Sequence, residues 1–140
     1  MNIIVDAMGG DRAPGDIIQG CIDAVMEYDI SLTLVGNEDV IRGELKNRNA
    51  PENRFTIVHA SEVIEADEAP VAAVRGKKDS SMVKGLELIR QDPKGVFVSA
   101  GNTGALMAGG LLKVGRIKGV DRPALAPVIP NLGRGTLLID

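Results

Sequence analysis

Three short polar segments of the sequence contain residues that could hold an anion: "DAMGGDRAP" at 6–14, "RGKKDSS" at 75–81 and "SAGNTGA" at 99–105. Glycine has no Cβ atom, so its backbone N–H can approach a bound group closely. Lysine and arginine supply positive charge, and the start of a helix adds free N–H donors. Together these residue types are typical of a site for phosphate or another acidic group.

The segment at 99–105 has no ionisable side chain. Gly101 and Gly104 permit close approach, and Asn102 and Thr103 add neutral hydrogen-bonding groups where a helix begins. The segment lacks the lysine of a P-loop and does not match G-x-G-x-x-G, so both nucleotide-binding fingerprints are absent from it. It therefore predicts a loop that positions a bound anion, with a simple tight turn between strand and helix as the alternative.

The segment at 75–81 adds charge. Arg75, Lys77 and Lys78 precede a helix whose N-terminus Ser80 or Ser81 would cap. A basic cluster beside a capped helix start suits phosphate, whereas the alternative is a basic loop that contacts only water.

The first segment contributes carboxylates and glycines. Asp6 and Asp11 could act as general bases or magnesium ligands, but two aspartates are weak evidence for a metal, and Asp6 could instead accept hydrogen bonds from loop N–H groups. Gly9 and Gly10 could bind phosphate or only turn the chain, and Arg12 could reach phosphate or only water. We predict no metal and no cofactor.

Two further reactive side chains are assigned to other roles. Cys21 falls on the apolar stripe of a predicted helix, so we expect it to pack in the core. His59 is the sole histidine and ends a predicted strand, but the sequence identifies no partner for it, so we expect no catalytic triad.

Strands and helices must position these segments. The sequence predicts them from short apolar runs that alternate with stretches of helical periodicity. The pattern predicts strands at 2–5, 31–35, 55–59 and 96–100, and helices at 14–28, 37–47, 70–75, from Ser80 or Ser81 onward, and 105–114. Such alternation indicates an α/β fold of three layers, with helices on both faces of a mostly parallel sheet. Ligands bind at the carboxyl ends of the strands in such sheets, so the three polar segments should converge there.

Two other regions depart from this alternation. "ALAPVI" at 124–129 and "TLLI" at 136–139 flank a turn and predict an antiparallel strand pair near the C-terminus. The segment Glu62 to Lys78 has the least regular pattern, so we expect it to form the most mobile loop.

Composition limits the class of protein. The 140 residues are 44% hydrophobic with a net charge of −3 and few aromatics, which argues against nucleic acid as a partner. A single cysteine excludes an internal disulfide, and the N-terminus lacks the basic region of a signal peptide, so we expect a cytoplasmic protein. We interpret 1–140 as a single α/β lobe, the N-terminal part of a longer two-lobed enzyme.

Four segments taken together resemble one family. "VDAMGGDRAP" at 5–14, "RGKKDSSM" at 75–82, "SAGNTGALMAGG" at 99–110 and "RPALAPVIP" at 122–130 are similar, in order and spacing, to the PlsX family of phosphate acyltransferases. These enzymes belong to bacterial fatty acid and phospholipid synthesis. The sequence departs from the family at Arg12, where histidine is usual, so no histidine-based role is carried over.

The resemblance implies a reaction and a setting. Inorganic phosphate attacks the thioester of a long-chain acyl group on acyl carrier protein, which gives acyl phosphate for a downstream glycerol-3-phosphate acyltransferase. The implied fold is that of the isocitrate/isopropylmalate dehydrogenase group. The implied assembly is a homodimer, with peripheral contact at the inner face of the membrane through parts outside this chain.

The resemblance also assigns roles to residues. Asn102 and Lys78 are the predicted catalytic residues. The predicted substrate- and phosphate-binding residues are Gly9, Gly10, Asp11, Lys77, Ser80, Ser81, Gly101, Thr103 and Gly104. Two alternatives stay open: a subunit of the glycine-reductase type that handles acetyl phosphate, and a non-catalytic lobe that binds acyl carrier protein.

Overall fold

A computed structural model describes residues 2–139. The main sheet has four strands, β1 (Ile3–Asp6), β2 (Leu32–Gly36), β3 (Phe55–His59) and β4 (Val96–Val98). All are parallel, in the order β3-β2-β1-β4. The helices are α1 (Gly15–Tyr28), α2 (Glu38–Asn47), α3 (Pro70–Gly76), α4 (Ser81–Gln91) and α5 (Thr103–Gly109). A 3₁₀ turn at Glu52–Arg54 and a π turn at Gly110–Val114 complete this part.

Alternate residues of the central strands face opposite helical layers, as the pattern predicts. Val5 and Leu34 pack with the buried residues of α1 and α2. Ile4 and Val35 pack with Leu88 of α4 on the other face. The prediction of a mostly parallel sheet with helices on both faces is therefore confirmed.

The apolar stripe of α1 lies in the first of these cores. Cys21 is buried within it, and this burial raises the pKa of its thiol to about 11. The expected core role of Cys21 is confirmed. The thiol is neutral at physiological pH, and a neutral thiol is a poor nucleophile.

The predicted antiparallel pair is present but short. It consists of β5 (Val128–Ile129) and β6 (Thr136–Leu137). Pro127 and Pro130 flank β5, and proline has no N–H to donate to a strand ladder, which explains why the pairing stops at two residues on each side.

Several element boundaries differ from the prediction. β4 ends at Val98, two residues earlier than predicted, and the chain bends at Gly101. α5 begins at Thr103 because Asn102 caps it, and regular α-helix stops at Gly109, where the π turn continues to Val114. Among residues 2–139, no helix has both the length and the apolar character to cross a membrane.

The segment predicted to be least regular contains α3 but has no other helix or strand between residues 62 and 69. Its backbone pairs with the residues before α4 at an isolated parallel bridge between Glu62 and Ser80. Hydrogen bonds from side chains, described below, hold the remainder. Its mobility stays a prediction.

Candidate anion site at the strand ends

A polar cavity of about 340 Å³ lies at the carboxyl ends of β1 and β4. Val5 of β1 pairs with Val98 of β4, so the loops that follow these strands start side by side. The cavity is lined by Met8, Gly10, Asp11 and Ala13 from the first loop, by residues 63–66, and by Ala100 and Gly101. The structure therefore brings together two of the three predicted polar segments, with a wall from the segment that the sequence singled out only for its irregular pattern.

We call the chain from Val63 to Glu68 the strap, because it closes one side of this cavity. It has no regular secondary structure of its own, and Ile64 anchors it by packing in the core between α3, α4 and α5. The position of the cavity wall thus depends on the groups that hold the strap.

Asp6 and Ser99 join the two loops below the cavity. Asp6 is 2% exposed, accepts a hydrogen bond from the Met8 N–H at 3.2 Å, and accepts the Ser99 hydroxyl at 2.8 Å. Ser99 Oγ in turn accepts the Gly101 N–H at 3.2 Å. Asp6 therefore does bind a loop N–H, as the sequence suggested, but the part played by Ser99 was missed.

The glycines of these loops are required by the protein itself. A Cβ on Gly9 would lie 2.5 Å from Asp6 Oδ2, and one on Gly101 would lie 3.3 Å from the Gly9 Cα atom. Gly10 adopts φ +125°, a conformation that residues with a side chain rarely adopt. Close packing of one loop on the other is thus sufficient to explain Gly9 and Gly101, while Gly10 and Gly101 also line the cavity.

Asn102 is buried behind the strap, and both ends of its side-chain amide bond to the protein. Its Oδ1 accepts the Ala105 N–H at 2.9 Å and caps α5. Its Nδ2 donates to the carbonyl oxygens of Glu65, Ala66 and Glu68 at 3.1, 3.2 and 3.0 Å. Asn102 does not line the cavity but connects the strap to the start of α5.

Lys77 holds the same strap from α3. Its Nζ donates to the Val63 carbonyl oxygen at 2.6 Å and pairs with the Glu68 carboxylate. The Glu65 N–H and the Lys77 ammonium, both bonded to Glu68, lower the pKa of that carboxyl. Lys77 therefore makes its contacts with the protein, one layer behind the cavity.

The two candidate cap serines occupy different environments. Ser80 caps α4, since its Oγ accepts the Val83 N–H at 3.3 Å and donates to the Lys77 carbonyl at 2.8 Å. Ser81 is 1% exposed, and its Oγ has no partner within residues 2–139. Neither serine lines the 340 Å³ cavity.

Asp79 and Lys84 brace the start of α4. The Lys84 ammonium and the hydroxyl of Ser61, both bonded to the Asp79 carboxylate, hold the pKa of Asp79 well below its usual range. Lys84 also donates to the carbonyl of His59 at 2.7 Å. The imidazole of His59 accepts the Glu38 N–H at 3.3 Å, which fixes it at the start of α2.

The structure places the remaining predicted residues away from the cavity. Lys78 lies beside Arg75 and Lys113 on a separate cavity of about 190 Å³. Thr103 is exposed and lines an apolar cavity of about 510 Å³ along α5. Gly104 packs against Pro70, where a Cβ would come within 2.7 Å of the proline ring. Arg12 is exposed and pairs with Asp16.

The lining of the cavity offers an anion no positively charged side chain within residues 2–139. Within the described residues the cavity lining contains Asp11 and Glu65 but no lysine or arginine. Backbone N–H groups of these loops, other than the Gly101 N–H that bonds to Ser99 Oγ, are therefore the donors through which this cavity could hold an anion. Within the same range no three histidine, cysteine or carboxylate side chains gather as metal ligands would.

Comparisons with known proteins identify the family of this chain. The sequence model of the family described as fatty acid synthesis protein matches residues 1–140. A phosphate acyltransferase of Thermoanaerobacter pseudethanolicus is 56% identical over 100% of this chain and 41% of the relative. Phosphate acyltransferases of Geobacillus thermodenitrificans and Clostridioides difficile are 54% and 48% identical, over 100% and 99% of this chain and 42% and 41% of each relative.

These matches run the length of the chain and include every segment that forms the cavity. The chain spans about two fifths of the length of these curated relatives. The resemblance that the four sequence motifs indicated is confirmed: the chain belongs to the fatty acid synthesis protein family, and its relatives are phosphate acyltransferases.

Proposed function

We propose that this chain forms part of the active site of a phosphate acyltransferase, which converts acyl-acyl carrier protein and inorganic phosphate into acyl phosphate and free carrier protein. The family match along the whole chain supports the class of reaction. The observation that carries the assignment to a site is the cavity where the loops after β1 and β4 meet.

The proposed reaction needs few specialised side chains. A phosphate oxygen attacks the carbonyl carbon of the thioester, the C–S bond breaks, and the thiolate leaves. Phosphate is itself the nucleophile, so no serine, cysteine or lysine has to be activated. A thiol of pKa about 8.5 leaves without strong acid catalysis. Positioning of the anion and stabilisation of the oxyanion remain, and fixed backbone N–H groups perform both.

We assign the phosphate-binding role to residues that line or support this cavity. Gly10, Asp11 and Gly101 line it, Gly9 packs against Gly101, and Lys77 holds its strap wall. The substrate roles of Ser80, Ser81, Thr103 and Gly104, and the catalytic roles of Asn102 and Lys78, stay predictions. Lys78 and its basic neighbours would suit the acidic carrier protein rather than the phosphate cavity.

The family resemblance is also the basis for proposing the substrate, the fold type, the assembly and the location. We propose a long-chain acyl substrate, a downstream glycerol-3-phosphate acyltransferase that consumes the product, and the isocitrate/isopropylmalate dehydrogenase type of fold. We also propose a cytoplasmic homodimer with peripheral membrane contact through other parts of the enzyme. The length of the relatives supports the view that 1–140 is one part of a longer, two-lobed protein.

A chimera tests the proposed function. Residues 1–140 replace the matching part of the Thermoanaerobacter relative, and acyl phosphate is trapped with hydroxylamine after incubation with phosphate and acyl donors. Long-chain acyl-acyl carrier protein should give product in the chimera and in the unmodified relative. Product from acetyl donors alone would favour the glycine-reductase type. Binding of the carrier protein without product would favour a non-catalytic lobe.

A further inference from the structure

The strap is held to α5 by a single amide group. Each of the three carbonyl oxygens that Asn102 contacts belongs to the strap, and Glu65 and Ala66 also line the cavity. The two N–H bonds of the amide serve three acceptors, so at least one is shared. A flipped amide would place its oxygen against three carbonyls and an NH₂ against the Ala105 N–H, so the orientation is determined.

This use leaves the Asn102 side chain no free N–H donor for a substrate. The side chain is 7% exposed, and its oxygen is occupied as the cap of α5. We propose that Asn102 is a positioning residue, which fixes the strap as a wall of the cavity by donating from α5 to the strap carbonyls. The identification of this wall as part of a substrate site rests on the proposed function, whereas the positioning itself does not.

Capping and positioning can be separated by substitution. Asn102→Asp keeps an oxygen that caps Ala105, because aspartate is as good an N-cap as asparagine. It also replaces the donor by an oxygen that faces three carbonyl oxygens, which repel it. Asn102→Ser keeps a cap and removes the donor without adding charge, so it serves if the aspartate variant does not fold.

Amide hydrogen exchange of the full chain, without substrate, measures the positioning directly. The Glu65 N–H bonds to the Glu68 carboxylate at 2.8 Å, and the Glu68 N–H bonds to the Glu65 carbonyl at 3.3 Å, so both report on the strap. In N102D and N102S we expect these two amides to exchange roughly tenfold faster, since the strap loses its donor. The amides of α5 should change little.

Asn37 provides the matched control. It caps α2 through the Val40 N–H at 3.2 Å and lies outside the strap, so Asn37→Asp should leave exchange at Glu65 and Glu68 unchanged. Unchanged strap exchange in both N102D and N102S would overturn the proposal, even if the chimera proved fully active.

The chimera adds a kinetic measurement. A loose cavity wall should raise KM for phosphate about tenfold in N102S with a smaller fall in kcat, because binding is weakened before the transition state is reached. A fall in kcat at unchanged KM would instead indicate direct contact with the reacting groups, and would contradict a purely positioning role. An inactive parent chimera would count against the proposed function and leave the exchange result standing.

Discussion

Residues 2–109 and residues 111–139 use apolar side chains in opposite ways. In the first region Ile4, Leu34 and Ile41 are completely buried. In the second no residue is buried, although it contains many leucines, isoleucines and valines; Leu132 is fully exposed, and Ile117 is 80% exposed. The contrast teaches that apolar composition does not create a core, because a core requires two layers that face each other.

The first region also has one uncovered edge. Within residues 2–139, β4 pairs with β1 alone, and its Val96 and Val98 are 42% and 49% exposed. The β5–β6 pair has no third strand within residues 2–139. A two-stranded pair with no layer packed on it is only marginally stable in water. We therefore expect the two regions to respond very differently to matched substitutions.

The largest difference should come from removing a leucine side chain. Leu34→Ala leaves a cavity in a fully buried site, so we expect a loss of about 2–5 kcal/mol in the free energy of unfolding. Leu132→Ala removes a side chain that contacts mainly water and should change it by less than about 0.5 kcal/mol. Urea denaturation of both variants measures the difference. Equal effects would mean that Leu132 is buried in solution.

Two glycine-to-alanine substitutions, each of which adds one methyl group, extend the comparison. Gly85 packs on Phe97, and a Cβ would lie 2.1 Å from the ring, so Gly85→Ala should cost about 2–3 kcal/mol. Gly110, where the two regions meet, has no atom within 4 Å of such a Cβ. Gly110→Ala should be neutral or stabilise the protein by up to about 1 kcal/mol. Thermal unfolding monitored by circular dichroism tests both, and a stable Gly85→Ala would show that Phe97 can move.

Hydrogen-bonded side chains should show the same division. Ser99→Ala leaves a buried Asp6 oxygen and the Gly101 N–H without a partner, at a cost of about 1–3 kcal/mol, and Ser99→Thr should restore most of it. Asn131 makes a comparable network in the exposed β5–β6 turn, with the Gly133 and Gly135 N–H groups at 2.8 and 3.1 Å. Asn131→Ala should cost less than about 0.5 kcal/mol, because water replaces each bond. A denaturant series compares the three variants.

The smallest effect depends on pH and concerns the packed region alone. Burial raises the pKa of Cys21 to about 11, so its stabilising contribution is full below the unfolded-state pKa of about 8.5 and is lost as pH rises through the folded value. The free energy of unfolding should fall by about 1–2 kcal/mol between pH 8 and pH 10. Cys21→Ala should lack this part of the pH dependence. Parallel pH profiles for the two proteins would contradict the buried, neutral thiol.

Much of the fold was predictable because local pattern and burial agree in the first region. The strand–helix alternation identified the four parallel strands and five helices of the sheet region, and the stripe of α1 identified Cys21 as a core residue. The strand order did not follow from the pattern, because it depends on which strands pair across the molecule. The exposure of residues 111–139 could not be predicted either, since the same apolar residue types occur whether or not a second layer covers them.

The sequence predicted where the loops meet better than it predicted what each of their residues contacts. Glycine and asparagine near strand ends indicated a place of close approach, and the loops do meet there. Residue types alone did not indicate whether such a residue contacts a ligand or another part of the protein. Gly104 and Asn102 contact the protein. Ser99 had one usable signal: Ser99 and Asp6 both directly follow strands that the fold places side by side.

The contact between Gly9 and Gly101 has a consequence for how this family can change over time. A side chain on Gly101 would press against the backbone of Gly9, and one on Gly9 would strike the carboxylate of Asp6. A replacement of Gly101 presses on a loop that lies far away in the sequence, whereas one of Gly9 disturbs the Asp6 carboxylate that joins the two loops through Ser99. Position 9 is already glycine, so no smaller residue there can make room, and we expect position 101 to stay glycine wherever the two loops keep this contact.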